Sequence, residues 1–283
     1  MGCRSTQKAR RSPGLADRIE TVPLTDFQSA LATQLAENRT FDSYLAGGAA
    51  TLIEPNSERY SNDLDYFHDS EKRVAEAFAA DRELLETRGY SVQVDLNQPG
   101  YIRAVVRLGD GSTKVEWAHD SSWRFMPTMR HEQVGFVLHP VDLAINKVLA
   151  LAGRDEPRDL LDTLYQHREV LCLGAMCWAA CGKDPGFTPL SLLDLLQRRG
   201  RLREEDVVRL RLVGGVDLRR VKSEWLDALD SVGPFVASRP AEEIGCLYYS
   251  ASRRAFVDPR QEPDARPHFG RPGGVVPRMD DEA

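Results

Sequence analysis

The stretch Tyr44–His68, YLAGGAATLIEPNSERYSNDLDYFH, decides how this chain is read. Phe41 to Ala46 is a short apolar run that stops at Gly47-Gly48, and a second apolar run follows to Ile53. That order predicts a strand, a tight turn and a helix. Asp63 to His68 (DLDYFH) alternates acidic and apolar residues, the period-2 pattern of a strand. Residues i and i+2 of a strand point to one face, so Asp63 and Asp65 present two carboxylates side by side while Leu64 and Tyr66 face the other way. Two carboxylates at that spacing repel unless a cation lies between them. Mg²⁺ prefers hard oxygen ligands and completes its shell with substrate phosphates. Gly47 and Gly48 have no side chain, so a phosphate chain can approach their backbone N–H groups. The start of the following helix adds positive partial charge. Together these parts fit metal-assisted phosphoryl or nucleotidyl transfer.

Outward from this stretch, residues 23–37 predict a helix with Thr25 or Asp26 as its cap. Residues 71–88 predict a long amphipathic helix. Strand-like runs follow at 90–96, 101–108 and 113–117, the last two joined by the hairpin signal Gly109-Asp110-Gly111. After Pro140 the texture turns helical, through 141–153 and 157–169 to about residue 231. The fold class expected is α+β: a mixed sheet with flanking helices, followed by a mainly helical region. The expected organisation is a flexible basic leader (1–22), a core (23–138), a helical region carrying part of the site (139–257) and a disordered tail (258–283). The tail is expected because Pro259, Pro263, Pro267, Pro272 and Pro277 crowd it.

Composition narrows the classes. The chain has 283 residues, 42% hydrophobic and 28% charged, which excludes a collagen-like, disulfide-scaffold or wholly disordered protein. No run approaches the roughly 18 apolar residues of a membrane span. The net charge is -6, so contact with nucleic acid requires a local basic patch. Arg198, Arg199, Arg201, Arg203, Arg209, Arg211, Arg219 and Arg220 offer one. Glu204, Glu205 and Asp206 interrupt it, so an internally paired helix face is the equal alternative. The five cysteines, without a secretory signal, point to a reducing compartment. Cys172, Cys177 and Cys181 form no CxxC pair and read as apolar core residues. Met1-Gly2-Cys3-Arg4-Ser5-Thr6 fits an N-myristoylation pattern, which is read here as part of the basic leader.

A second cluster lies beyond His139, which is expected to cap the helix that Pro140 opens. Lys147 and Arg154 are two helical turns apart and share a face, where a lysine can reach phosphate oxygens. Asp159 and Asp162 are three apart and also share a face; one of them is placed to orient Lys147 or a hydroxyl nucleophile.

With these residues in place, the chain resembles the AbiEii/AbiGii toxin branch of the DNA polymerase β-like nucleotidyltransferase superfamily, a branch that includes the MenT toxins. The first block of the resemblance is Gly47, Gly48, Arg59, Ser61, Asp63, Asp65 and Phe67. The second is His139-Pro-Val-Asp142-Leu-Ala-Ile-Asn-Lys147 through Arg154, then Arg158-Asp159-Leu-Leu-Asp162. It covers about residues 40–170. The resemblance implies a Mg²⁺-dependent nucleotidyltransferase, toxin-like and cytoplasmic, with an NTP donor. It implies tRNA, at its 3′ end, as acceptor and a neighbouring antitoxin as partner. Asp63 and Asp65 would hold the metal, and Asp162 would be the catalytic-site acid ahead of Asp159. Gly47, Gly48, Arg59, Ser61 and Arg154 would contact the nucleotide. Glu116 would supply a third carboxylate, with Asp95 as runner-up, because Asp120-Ser-Ser-Trp-Arg124 just after Glu116 also resembles the branch. Several alternatives stay open. Ser61 bonds a phosphate or holds its loop, and Arg59 contacts a phosphate or pairs with Asp63. Tyr66 and Phe67 read as core before base-stacking residues. The acceptor alternatives are a protein or small-molecule hydroxyl, and a different class of reading is a catalytically silent, antitoxin-like module of the same fold.

Overall fold

The computed structural model describes residues 24–51, 61–154, 156–210, 212 and 216–277. Arg59, Arg211 and residues 1–22, with Cys3 and the myristoylation pattern, lie outside the described residues.

Helix α1 (Asp26–Leu35) begins at Thr25 with a reciprocal cap. The Thr25 hydroxyl accepts from the Gln28 N–H at 3.2 Å, and the Gln28 side chain accepts from the Thr25 N–H at 3.0 Å. The chain then forms β1 (Ser43–Ala46), the single turn α2 (Gly47–Thr51), β2 (Asp63–His68) and α3 (Glu71–Thr87). Strands β3 (Ser91–Gln98), β4 (Tyr101–Leu108) and β5 (Gly111–His119) make the expected meander, followed by β6 (Trp123–Arg124), β7 (Met129–His131) and β8 (Gly135–Val137). The main sheet has seven strands in the order β3-β4-β5-β2-β1-β8-β7. Its β2–β5 and β1–β8 pairings are parallel and the others antiparallel. The protein is thus α+β, as its sequence predicts.

The parallel β2–β5 pairing matters most for the site, because it sets Asp65 beside Glu116 in register. Returning a parallel strand to β2 needs a long crossover, and α3 with the β3–β4 hairpin supplies it. Strand β3 is a sheet edge. Its register shifts between Val94 and Leu96, leaving Asp95 at an exposed bulge. A bulge and a charge both discourage pairing with another chain.

Two large apolar clusters hold the fold, with a smaller third of Ala175, Trp178, Phe235, Cys246 and Tyr248. One packs Leu31, Leu45, Leu64, Tyr66, Val74 and Trp117 between the sheet, α1 and α3. Beneath it Asp81 of α3 is fully buried, paired with Arg39 and accepting from Trp117 Nε1 at 2.7 Å and Asn38 Nδ2 at 3.0 Å. Tyr66 belongs to this core, with the Arg39 guanidinium 4.4 Å from its ring centre.

The second cluster lies in the helices. These are α4 (Pro140–Gly153), α5 (Pro157–Glu169), α6 (Leu173–Lys183), α7 (Pro189–Arg199), α8 (Glu204–Arg209) and α9 (Leu218–Ala237). His139 caps α4: its Nδ1 accepts from the Val141 N–H at 3.3 Å, with Pro140 at the first helical position. Cys177 and Cys181 are free and buried here, and burial pushes the Cys181 thiol up to about 12, which suits their apolar role.

Residues 258–277 correct the expectation of a disordered tail. After β9 (Cys246–Ser250) and β10 (Ala255–Phe256), strand β11 (Arg266–Phe269) pairs with β9 and β12 (Arg271–Pro272) pairs with β6. The prolines misled because edge strands tolerate them: Pro267 sits opposite Tyr248 and Pro272 opposite Trp123. The segment is tied to the body through Phe125, whose carbonyl oxygen lies 3.0 Å from His268 Nε2 and accepts from the Val275 N–H at 3.1 Å.

Candidate active site

The turn after β1 folds as Gly47 demands. Its φ is +61°, in the left-handed region that only glycine enters freely, and a Cβ there would lie 2.6 Å from Asp65 Cγ. Gly47 is therefore required twice, by conformation and by the carboxylate packed on it. Helix α2 has only five residues, so the turn offers its own backbone N–H groups more than a helix end.

Asp63, Asp65 and Glu116 each bring an oxygen within 4.8 Å of the others. Asp63 and Asp65 share a face of β2, and Glu116 stands beside Asp65 on β5. Burial pushes the Asp65 carboxyl up to about 7, Asp63 and Glu116 push the same way, and Lys147 and Arg158 oppose them. Burial, more than its acidic neighbours, is what disfavours the Asp65 anion. Three hard oxygen donors at this separation suit a divalent ion such as Mg²⁺. Arg103 Nε donates to Glu116 at 2.8 Å and steadies it.

The carboxylates open into a cavity of about 270 Å³, walled by Gly47, Gly48 and Phe67 on one side and by Asn146, Lys147, Arg154 and Arg158 on the other. Lys147 is buried and its Nζ lies 2.7 Å from Asp162 and 3.5 Å from Asp159. Arg154, just past α4, donates to Asp159 at 2.7 Å. Asp159 is fully buried, so two cations converge on it and α4 is locked to α5.

The sequence-predicted residues therefore divide. Gly47, Gly48, Asp63, Asp65, Glu116, Lys147 and Arg154 all line the cavity. Asp162 is not on the cavity wall; its Oδ2 lies 2.7 Å from Lys147 Nζ, as the lysine-orienting alternative expects. Ser61 is also off the cavity wall. It is fully buried and its hydroxyl donates to the Asp63 carbonyl at 2.8 Å, the loop-holding alternative. Asp95 is exposed on the edge strand, two strands from β5. Phe67 lines the cavity and also packs against the first apolar cluster.

Three polar wall residues were given no site role by the sequence reading: Tyr101, Asn146 and Arg158. Arg158 Nη1 approaches Asp63 at 3.5 Å. Its signal was present, four residues after Arg154 and inside the second block. Of the arginines at 198–220, Arg198, Arg201, Arg203, Arg219 and Arg220 are exposed; Arg203 pairs with Glu205 and Arg220 with Glu224.

A glycine turn facing two strand-borne carboxylates, with a third on the parallel neighbour, is the arrangement of a nucleotidyltransferase fold. Comparison with solved structures agrees. The chain is similar to MenT4, a nucleotidyltransferase toxin from Mycobacterium tuberculosis H37Rv, with 17% identity over 76% of this chain and 83% of that one and a TM-score of 0.50. It is also similar to JHP933 from Helicobacter pylori, with 15% identity over 75% of this chain and 90% of that one and a TM-score of 0.47. No family model and no curated protein matches the chain. What the likeness to MenT4 establishes is the fold.

Proposed function

We propose that the chain is a toxin-like nucleotidyltransferase that moves NMP from an NTP to an acceptor hydroxyl, with the 3′ end of a tRNA as that acceptor. The observation that carries the reading is the convergence of Asp63, Asp65 and Glu116 opposite Lys147 across one small cavity. Asp63, Asp65 and Glu116 would hold Mg²⁺, since the donor set is all carboxylate oxygen. When bound, Mg²⁺ neutralises charge on the phosphates and the reacting oxygens.

The chain's own residues supply the rest. The Gly47-Gly48 backbone lets the phosphates approach closely. Lys147, held by Asp162, and Arg154, held by Asp159, present fixed positive charge to them. Pre-paired cations of this kind cost little reorganisation when the transition state forms. The acceptor oxygen attacks the α-phosphorus, the bond from that phosphorus to the β-phosphate oxygen breaks, and pyrophosphate leaves. Glu116, on the outer strand of the cluster, takes the hydroxyl proton. Positioning and charge neutralisation are the main contributions of the protein. The exposed arginines at the end of α7 and the start of α9 support contact with an RNA backbone. A cognate antitoxin and a cytoplasmic setting complete the reading.

Purified protein is incubated with Mg²⁺, each α-³²P-labelled NTP and total tRNA, beside an Asp65→Ala control. Label on RNA with the native chain and none with the variant is the expected result and names the donor. Label on protein moves the acceptor to a protein hydroxyl. Absence of incorporation from all four nucleotides removes the tRNA reading.

A further inference from the structure

A second and larger cavity, of about 700 Å³, opens at the other end of α2. Gly47 and Gly48 line the first cavity, Ala50 and Thr51 the second, and Leu143 of α4 lines both. Its volume falls in the range of small-molecule sites. The reaction proposed above makes no use of it.

The lining has a definite chemistry. Tyr165, Tyr249 and Phe256 contribute rings, and Met126 and Met129 contribute thioethers, which pack well against aromatic ligands. Tyr249 and Phe256 stand edge to face with centroids 5.4 Å apart. Thr51, His131, Glu169 and Arg254 also line it, and two further polar groups, Gln166 and His139, are set in the wall. Gln166 is 2% exposed, and its Oε1 is buried without a hydrogen-bond partner. A buried acceptor left unmade is costly, so a ligand donor that reached it would be well received. His139 uses Nδ1 to accept from Val141 at the start of α4, which leaves the proton on Nε2 as a donor. Burial keeps this ring neutral, with its pKa lowered to about 4.

We propose that this cavity receives a nucleobase-type heterocycle: a planar ring that offers an N–H to Gln166 and a ring-nitrogen or carbonyl acceptor to His139, packed among Tyr165, Tyr249 and Phe256. A simple hydrocarbon ring would leave Gln166 and His139 unpaired. The base is supplied either by a free nucleoside or by an unstacked base of single-stranded RNA, which present the same edges. The assignment stands whether or not the carboxylate site transfers nucleotides.

The test uses the full chain in EDTA, so that metal-dependent phosphate binding at the first cavity does not contribute. One probe is 2-aminopurine riboside, and the other is a short single-stranded oligoribonucleotide with 2-aminopurine at its 3′ end. Stacking on the rings quenches the fluorescence. Saturable, one-to-one quenching is expected. Ala255→Trp fills the cavity from an exposed position on β10 and is expected to weaken binding at least tenfold. Gln166→Leu is expected to do the same, and Asp65→Ala, in the other cavity, to leave binding unchanged. Binding of the riboside alone identifies a free nucleoside; much tighter binding of the oligonucleotide identifies an RNA end. Absence of saturable quenching with both probes overturns the proposal. So does an affinity that Ala255→Trp leaves intact, or one that Asp65→Ala reduces and Ala255→Trp does not.

Discussion

Gly47→Ala separates what the turn needs for folding from what it needs for its carboxylates. An alanine at φ +61° costs about 1–2 kcal/mol, because its Cβ meets the following carbonyl. The new Cβ would also stand 2.6 Å from Asp65 Cγ, where ordinary contact begins at 3.4 Å. Asp65 must therefore retreat from the cluster it shares with Asp63 and Glu116. Misplacement of a reacting group by about 1 Å costs roughly 10²-fold in rate. The backbone cost alone lowers the melting temperature by roughly 2–8 °C, at about 2–4 °C per kcal/mol for a chain of this order of size. The control is Gly153→Ala, at the end of α4, where an added Cβ meets nothing within 4 Å. There alanine is expected to be neutral or to stabilise by up to about 1 kcal/mol. Thermal unfolding reads the first effect, and titration calorimetry with Mn²⁺ as a spectroscopically convenient hard cation reads the second. Gly47→Ala should show both losses, with Mn²⁺ affinity down at least tenfold, and Gly153→Ala neither. Native Mn²⁺ affinity in Gly47→Ala, or an equal loss in the two variants, refutes the packing argument.

The remaining predictions concern charge. Asp142 is buried and accepts from the Phe125 and Met126 N–H groups, yet burial outweighs them and raises its pKa to about 6 from 3.8. The folded form thus keeps its proton to higher pH than the unfolded one. Asp142 is least unfavourable below pH 3.8, and stability from it falls as pH rises to about 6, by about 3 kcal/mol. Unfolding free energies of Asp142→Asn and the native chain between pH 4 and 7 should differ by that slope, and parallel curves would dismiss it. Arg39→Met leaves Asp81 buried without its cation and should cost about 3–5 kcal/mol, seen as a fall in denaturation midpoint; a loss below about 1 kcal/mol would show the pair to be dispensable. Glu116→Ala should weaken Mn²⁺ binding while Asp95→Val leaves it unchanged and promotes self-association through the β3 edge, measured by sedimentation; equal effects of the two on Mn²⁺ would reverse the choice between them.

The glycine turn and the paired aspartates were legible because they depend on local rules: a period of 2 along β2, and a residue without Cβ before a helix. Glu116 was not legible in that way. Its place beside Asp65 comes from a parallel pairing across α3 and a hairpin, which no local pattern encodes, and only the family resemblance pointed to it. The helical spacing of Asp159 and Asp162 was right. Spacing gives a shared face and not a depth, so it could not show that both carboxylates reach Lys147. Arg158 was visible as a charge, but its approach to Asp63 joins residues 95 positions apart, which no local pattern encodes. The region after residue 258 was misread because proline content was weighed without the partner strands that accept it.

The pairing of β12 with β6 has a consequence for the order in which the protein becomes competent during synthesis. Asp63, Asp65, Glu116, Lys147 and Asp162 all leave the ribosome before β11 and β12 are made. Phe125 and Met126, whose N–H groups hold Asp142 at the head of α4, are backed by those late strands. A nascent chain that displays every residue of the carboxylate site has therefore yet to receive the clamp that seats the lysine-bearing helix. Seating of that helix is completed only when β11 and β12 are free to pair with β9 and β6.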